Sequence, residues 1–196
     1  MPNDFVGDVV VYYGTSGWAW TLRRFTRDSF THVALRLEEE LAESIEWKNG
    51  EMIHDLKNPI EEYLAYEIYT PIGISPLQRE AIQYLNEIVP KEYDSRLIAK
   101  LAPRYAVKKF DMTDLSTPGK FSCSSRTGMI HEMVGIKVIE NLHFSQLAPH
   151  HYRLSEKFER TRVWVRELKT SSDIRLESVN DILPSCIIPP QQELKK

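Results

Sequence analysis

Strand signals crowd into the first third of this chain and helix signals follow, an order that leaves few folds open. Val9-Val10-Val11-Tyr12-Tyr13, just after Gly7-Asp8, is a dense β-branched and aromatic run and predicts a strand. Thr31 to Leu37 alternates with period two. Val33, Leu35 and Leu37 share one face, and His32, Ala34 and Arg36 the other. Glu38-Glu39-Glu40 supplies a turn, and Leu41 to Trp47 returns as the partner strand. Asn49-Gly50 is a strong hairpin signal ahead of Met52-Ile53-His54, because both residue types accept positive φ. Tyr66 to Tyr69 reads as one more strand, ended by Pro71.

The helical part is punctuated as clearly. Gly14 to Gly17 reads as a loop and Trp18 to Phe25 as a short helix, with Trp18, Leu22 and Phe25 at 3–4 spacing. Ser75-Pro76-Leu77-Gln78 has capping-box spacing with proline at the first helical position. Leu77, Ala81, Ile82, Leu85 and Ile88 then form a core stripe up to Pro90. Ser95 to Leu101 predicts another helix, stopping before Pro103. Ser122 is the N-cap of an amphipathic helix with Met129, Ile130, Met133 and Val134 on its apolar side and Gly135 at C′. Thr161 to Leu168 closes the pattern as a strand. The expected fold is α+β: an antiparallel sheet or half-barrel packed against helices, over residues 1–168. Residues 169–196 read as a Pro-containing tail, with Ile182, Leu183, Ile187 and Ile188 as docking residues.

Composition narrows the function classes. The chain has 196 residues, enough for one domain with appendages, and its 42% hydrophobic and 27% charged residues are ordinary globular usage. A net charge of −3 gives no footprint for nucleic acid, and Arg23-Arg24 and Lys108-Lys109 read as solvated pairs. Two cysteines, Cys123 and Cys186, make no disulfide framework. Met1-Pro2-Asn3-Asp4-Phe5 does not open a signal peptide, and no apolar run is long enough to span a bilayer. The expectation is a soluble, cytoplasmic protein.

The chemistry lies in two segments far apart in the chain. Cys123, in Phe121-Ser122-Cys123-Ser124-Ser125, opens a helix, where unpaired backbone N–H groups and the dipole lower a thiol pKa. His32, in Phe30-Thr31-His32-Val33-Ala34-Leu35, is a candidate general base for it. Glu46 stands opposite His32 if the turn centres on Glu39, and would then orient the imidazole; a one-residue slip changes the face. The Cys123 amide is the natural oxyanion donor, with Tyr13, Ser16, Tyr93 and Ser124 as further oxyanion or substrate contacts. His131, His143, His150 and His151 lack tight zinc spacing, so neither a metal nor another cofactor is expected. Cys186 reads as incidental. Trp18, Trp20, Phe25 and Phe30 read mainly as core, with an apolar substrate wall as the functional alternative.

Five segments in order also resemble a known family. Gly7-Asp8, Thr31-His32-Val33-Ala34, Ala42-Glu43-Ser44, Tyr93-Asp94 and Phe121-Ser122-Cys123-Ser124 are similar to the signature of the circularly permuted papain-like proteins of the NlpC and YiiX type, with their poxvirus relatives. Phe144-Ser145-Gln146-Leu147-Ala148 also looks like that family's Thr-Pro-x-x-Leu segment. Ser125 departs from a common glutamate and Ala34 from a common glycine. The resemblance implies a permuted papain-like fold from Gly7 to Leu168 and a Cys123–His32–Glu43 triad, with Glu46 the alternative third member. It implies a thiol hydrolase forming an acyl-enzyme on an amide, such as a cell-wall peptide or an isopeptide. The alternatives are a lipid acyl esterase or acyltransferase on the same triad, and a binding module that has lost the chemistry.

Overall fold

The computed structural model describes residues 4–15, 23, 29–47, 49–107 and 110–166. Its first five strands are β1 (Val9–Gly14), β2 (His32–Arg36), β3 (Leu41–Glu46), β4 (Gly50–Asp55) and β5 (Tyr63–Pro71). Then come α1 (Pro76–Ile88), β6 (Glu92–Tyr93), α2 (Ser95–Val107), β7 (Lys120–Phe121) and α3 (Cys123–Met133). A 3-10 turn (Phe144–Gln146), α4 (Pro149–Leu154) and β8 (Phe158–Val165) complete the described chain. The main sheet is antiparallel throughout, in the order β4-β3-β2-β1-β5-β8; β6 and β7 form a separate parallel pair. The expected antiparallel sheet with packed helices is present. Residues 16–22 and 24–28 and the tail after 166, including Ser16, Trp18, Trp20, Phe25 and Cys186, lie outside the described residues.

The sheet is strongly rolled. His54 on β4 and Tyr63 on β5 stand four strand spacings apart, about 19 Å in a flat sheet. Their ring centroids are 5.8 Å apart. The face bearing these rings is therefore concave, and it packs Val10, Tyr12, Ala34, Ala42, Leu56, Tyr66 and Ile68. With β4 and β8 at its two edges the roll is not a closed barrel. A register shift between Tyr13 and Gly14 pairs Gly14 with Tyr63 and skips Leu64. That bulge turns Tyr63 inward, stacked on Tyr12 at 4.4 Å, while Leu64 joins the opposite core.

The convex face carries Val9, Val11, Tyr13 and Val33 against Cys123 and Tyr152, and Leu35 and Ile45 against Ile82 and Ile130. Each fully buried Val, Leu or Ile there contributes about 1.5–3 kcal/mol relative to exposure. Gly128 lets α3 approach closely, since a Cβ there would stand 2.2 Å from Leu147 Cδ1.

Several local expectations need correction. The α1 cap forms as read, with Ser75 and Gln78 bonding reciprocally, but Leu77 is 75% and Ile88 54% exposed. Only Ile82 and Asn86 of that helix are buried, because α1 meets the core along one narrow line. The α2 helix runs through Pro103. The bond lost there is offset by tertiary anchors on its second half, Tyr105 Oη to the Gln146 carbonyl at 3.2 Å and Arg104 Nη1 to Asp111 at 2.9 Å. The β5 strand begins earlier, at Tyr63, and β8 spans Phe158–Val165 rather than Thr161 to Leu168. Finally, α3 is not amphipathic. Its buried residues include Ser124, Ser125, Arg126, Thr127 and His131, and Ser125, Arg126, Thr127 and His131 make hydrogen bonds inside the fold.

Candidate active site

The site lies where β2 and β3 part. Arg36 N–H donates to the carbonyl of Asp8, the residue just before β1, at 2.8 Å. Strand alternation then turns the Ala34 and His32 amides toward β1 and the Leu35 and Val33 amides toward β3. Yet β2 and β3 pair only at Leu35 with Glu43 and Arg36 with Ala42. Beyond that, β2 stays on β1 through His32, and β3 stays on β4 through Glu46. The Val33 N–H is thus released from the β2–β3 ladder and lies near enough to the Cys123 thiol to favour its ionised form.

Local structure aims the thiol there. Cys123 is the first residue of α3, behind the N-cap Ser122. Ser122 Oγ accepts from Ser125 N–H at 3.1 Å, and Ser125 Oγ accepts from Ser122 N–H at 2.7 Å. Ser125 thus closes a capping box at the position where the family pattern has glutamate. The approach is fixed by the pairing of Tyr93 with Phe121. Tyr152 Oη donates to the Ser124 carbonyl at 3.1 Å, and Ser124 Oγ is 3.9 Å from the sulfur. Cys123 is 8% exposed.

On the concave side His32 joins a polar nest. Its Nε2 lies 3.8 Å from Glu46 Oε1, and His54 Nε2 lies 3.8 Å from the same oxygen. Tyr63 Oη donates to Glu46 Oε1 at 3.3 Å, Asn49 Nδ2 donates to Glu46 Oε2 at 3.1 Å, and Ser44 Oγ is 2.7 Å from His54 Nε2. Tyr63 stacks on His32 with ring planes 10° apart. His32 is 12% and Glu46 20% exposed at the side chain.

Glu43 is placed elsewhere. Three residues from Glu46 on the same strand, it faces the helices. Its Oε2 accepts from Asn86 Nδ2 at 2.9 Å, and its Oε1 is 3.1 Å from Lys91 Nζ and 3.4 Å from Arg126 Nη1. The structure places His32 and Glu46 together on the concave face, with Glu46 near enough to act electrostatically on the Cys123 thiol, and turns Glu43 to the helix side.

The other candidates have local work. Tyr13 is in the convex core, its hydroxyl bonded by Arg23. Tyr93 is half-buried, beside the entry to α3. Asp94 clips the start of α2, accepting from Arg96, Leu97 and Thr117 amides. Phe30 is buried in the cluster that holds Cys123, so it is core rather than a substrate wall. His131 bridges the Gly7 and Thr127 carbonyls, His143 caps Ser145, and His151 accepts from Ala148 N–H.

Burial sets the protonation states. It pushes the Cys123 thiol above its ordinary value, outweighing the Val33 N–H and the Ser124 contacts that favour thiolate. The lowered thiol pKa expected of a helix start is therefore not found. Burial, helped by His54, holds His32 well below the usual histidine value, and burial brings His54 down to about 4. At neutral pH the site holds a thiol and two neutral imidazoles. His54, Ser44 and Tyr63 were missed in the sequence. A signal for two of them existed: counting back from Asn49-Gly50 places Ser44, Glu46 and His54 on one face of the β3–β4 hairpin. Tyr63 arrives only through the bulge.

No family model matches this chain, and comparison with curated proteins yields no match. Among solved structures, the chain shows a weak likeness to the crystal structure of metalloprotein yiiX from Escherichia coli O157:H7. The alignment has a TM-score of 0.46 at 12% identity and covers 84% of this chain and 99% of that one. Among the described residues, no helix is long and apolar enough to cross a membrane.

Proposed function

We propose that this protein is a thiol hydrolase with a permuted papain-like arrangement, in which Cys123 attacks an amide carbonyl, His32 is the general base and Glu46, rather than Glu43, orients the imidazole. The observation that carries this reading is the fork between β2 and β3. Glu46 lies 3.8 Å from His32 Nε2 and also bears on the Cys123 thiol, whose ionised form is favoured by the N–H of Val33, the residue next to His32. Because the resting pair is uncharged, His32 takes the thiol proton as sulfur attacks and returns it to the leaving amine. The developing oxyanion would be met by backbone N–H groups at the start of α3. Water then releases the acyl group from sulfur. No observation favours a lipid acyl ester, since most of the 18–30 segment lies outside the described residues and Phe30 is core. Whether the domain binds without chemistry is settled by the same experiment: alkylation of Cys123 by iodoacetamide, resolved from Cys186 by peptide mass spectrometry, in the parent and in His32→Ala. Fast labelling that collapses in His32→Ala supports the hydrolase. A Cys123 that labels no faster in the folded parent than in His32→Ala would falsify it and leave the binding module.

A further inference from the structure

The nest behind His32 holds more ligating capacity than a catalytic dyad needs. His32 Nε2, Glu46 Oε1 and His54 Nε2 all lie within 4.8 Å of one another, from three different strands of the rolled sheet. Two polar atoms at this place are buried without a hydrogen-bond partner among the described residues: His32 Nε2 and the hydroxyl of Tyr12. Tyr12 is fully buried, its ring 5.9 Å from that of His32 and 5.2 Å from that of His54. Leaving a buried polar atom unpaired is costly, so two in one nest call for a missing partner. The charge points the same way. Among the described residues the only groups within ion-pair distance of Glu46 are the two histidines; no lysine or arginine pairs with it.

We propose that His32, Glu46 and His54 form a binding site for a divalent first-row transition-metal ion of the zinc class. Two imidazoles and one carboxylate are the donor set such ions take, with open positions left for water. Bond lengths of about 2.0–2.1 Å put neighbouring ligands ~3.4 Å apart. Two edges of the nest are 3.8 Å, so closing it takes side-chain shifts of about half an ångström. The ion would neutralise Glu46, use the free Nε2 of His32 and offer bound water to the Tyr12 hydroxyl. Loading breaks one bond, since Ser44 Oγ is 2.7 Å from the His54 nitrogen that must turn to the metal. If His32 is the base, as the proposed function has it, a loaded site withdraws the base from Cys123, and metal occupancy and thiol reactivity exclude each other.

The test is zinc binding to the full chain with Cys123→Ala, which removes the thiol as a ligand and as a nucleophile. Titration against a chromophoric zinc chelator should give one tight site per chain. Glu46→Gln and His54→Gln in that background should each weaken it at least ~100-fold, more than loss of an outer-sphere partner does. Cobalt(II) loaded in place of zinc should show visible d–d bands without a thiolate charge-transfer band. Thermal melts check that each variant is folded; should His54→Gln unfold, Glu46→Gln decides. Unchanged affinity in the folded Glu46→Gln variant, or loss of the site with Cys123→Ala itself, overturns the proposal. With the thiol present, zinc should block iodoacetamide labelling in the parent and not in His54→Gln. A protein that binds zinc in the nest but never shows His32-dependent labelling keeps the metal site and loses the hydrolase. One that labels but does not bind zinc does the reverse.

Discussion

Two carboxylates on one short strand meet opposite fates. Glu43 and Glu46 are three residues apart on β3, so the pleat sends one to the helices and the other into the concave face. Glu43 is matched in charge: Asn86 donates to one oxygen, and Lys91 and Arg126 lie within ion-pair distance of the other, although that oxygen and Arg126 Nε make no hydrogen bond among the described residues. Arg126 is in turn held by the Asn86 side chain and carbonyl at 2.8 and 2.7 Å. Glu46 faces two imidazoles, a phenol and an amide, and its His32 neighbour keeps a nitrogen without a partner. A matched buried charge braces a fold; a buried cluster with spare capacity is where ligands and reacting groups go.

Substitutions on the two sides should separate these roles. The largest effect belongs to the fork. Cys123→Ala and His32→Ala should each lower turnover of an amide substrate at least ~1000-fold, because nucleophile and base act as a unit. Steady-state rates measured beside thermal melts check this, and an active Cys123→Ala removes the assignment. On the bracing side, Arg126→Met leaves the Glu43 charge buried and poorly matched, which should cost about 3–5 kcal/mol in a urea titration. Adding Glu43→Met should recover part of that loss, and a double variant no more stable than the single would show that the pair is not the cause. Glu46→Gln is the intermediate case: kcat should fall ~10- to 100-fold while the urea midpoint moves little. The comparison collapses if Glu46→Gln unfolds the protein as Arg126→Met does. The smallest effect is at the helix start, where Ser122→Ala should cost ~1 kcal/mol by removing the cap on Ser125 N–H.

Much of this was legible in the residues. The β-branched run of β1, the period-two alternation of β2 and the Asn49-Gly50 turn predicted four of the sheet's strands, β1 to β4, and the antiparallel β3–β4 hairpin. Ser75, Ser122 and Gly135 announced helix ends; Gly135 sits past α3 at φ +85°. The third residue beside His32 was not legible. It depends on the parity of the β2–β3 register, and both Glu43 and Glu46 satisfy the local pattern. The polar burial of α3 was invisible as well. Arg126, Thr127 and His131 carry no local signal of burial; their bonds come from partners such as Asn86 on α1 and the Gly7 carbonyl.

The order of residues alone therefore determined most of the elements, their caps and turns, and the two segments that hold Cys123 and His32, because these follow from neighbours a few positions away. Tertiary structure decided the rest. It rolled the sheet until β4 and β5 touch, parted β2 from β3 so that the Val33 amide bears on the thiol, and turned Tyr63 inward at a bulge. It also buried the thiol deeply enough to reverse the pKa shift that its helix position favours. Desolvation and strand register are properties of the packed whole, and no window of sequence carries them.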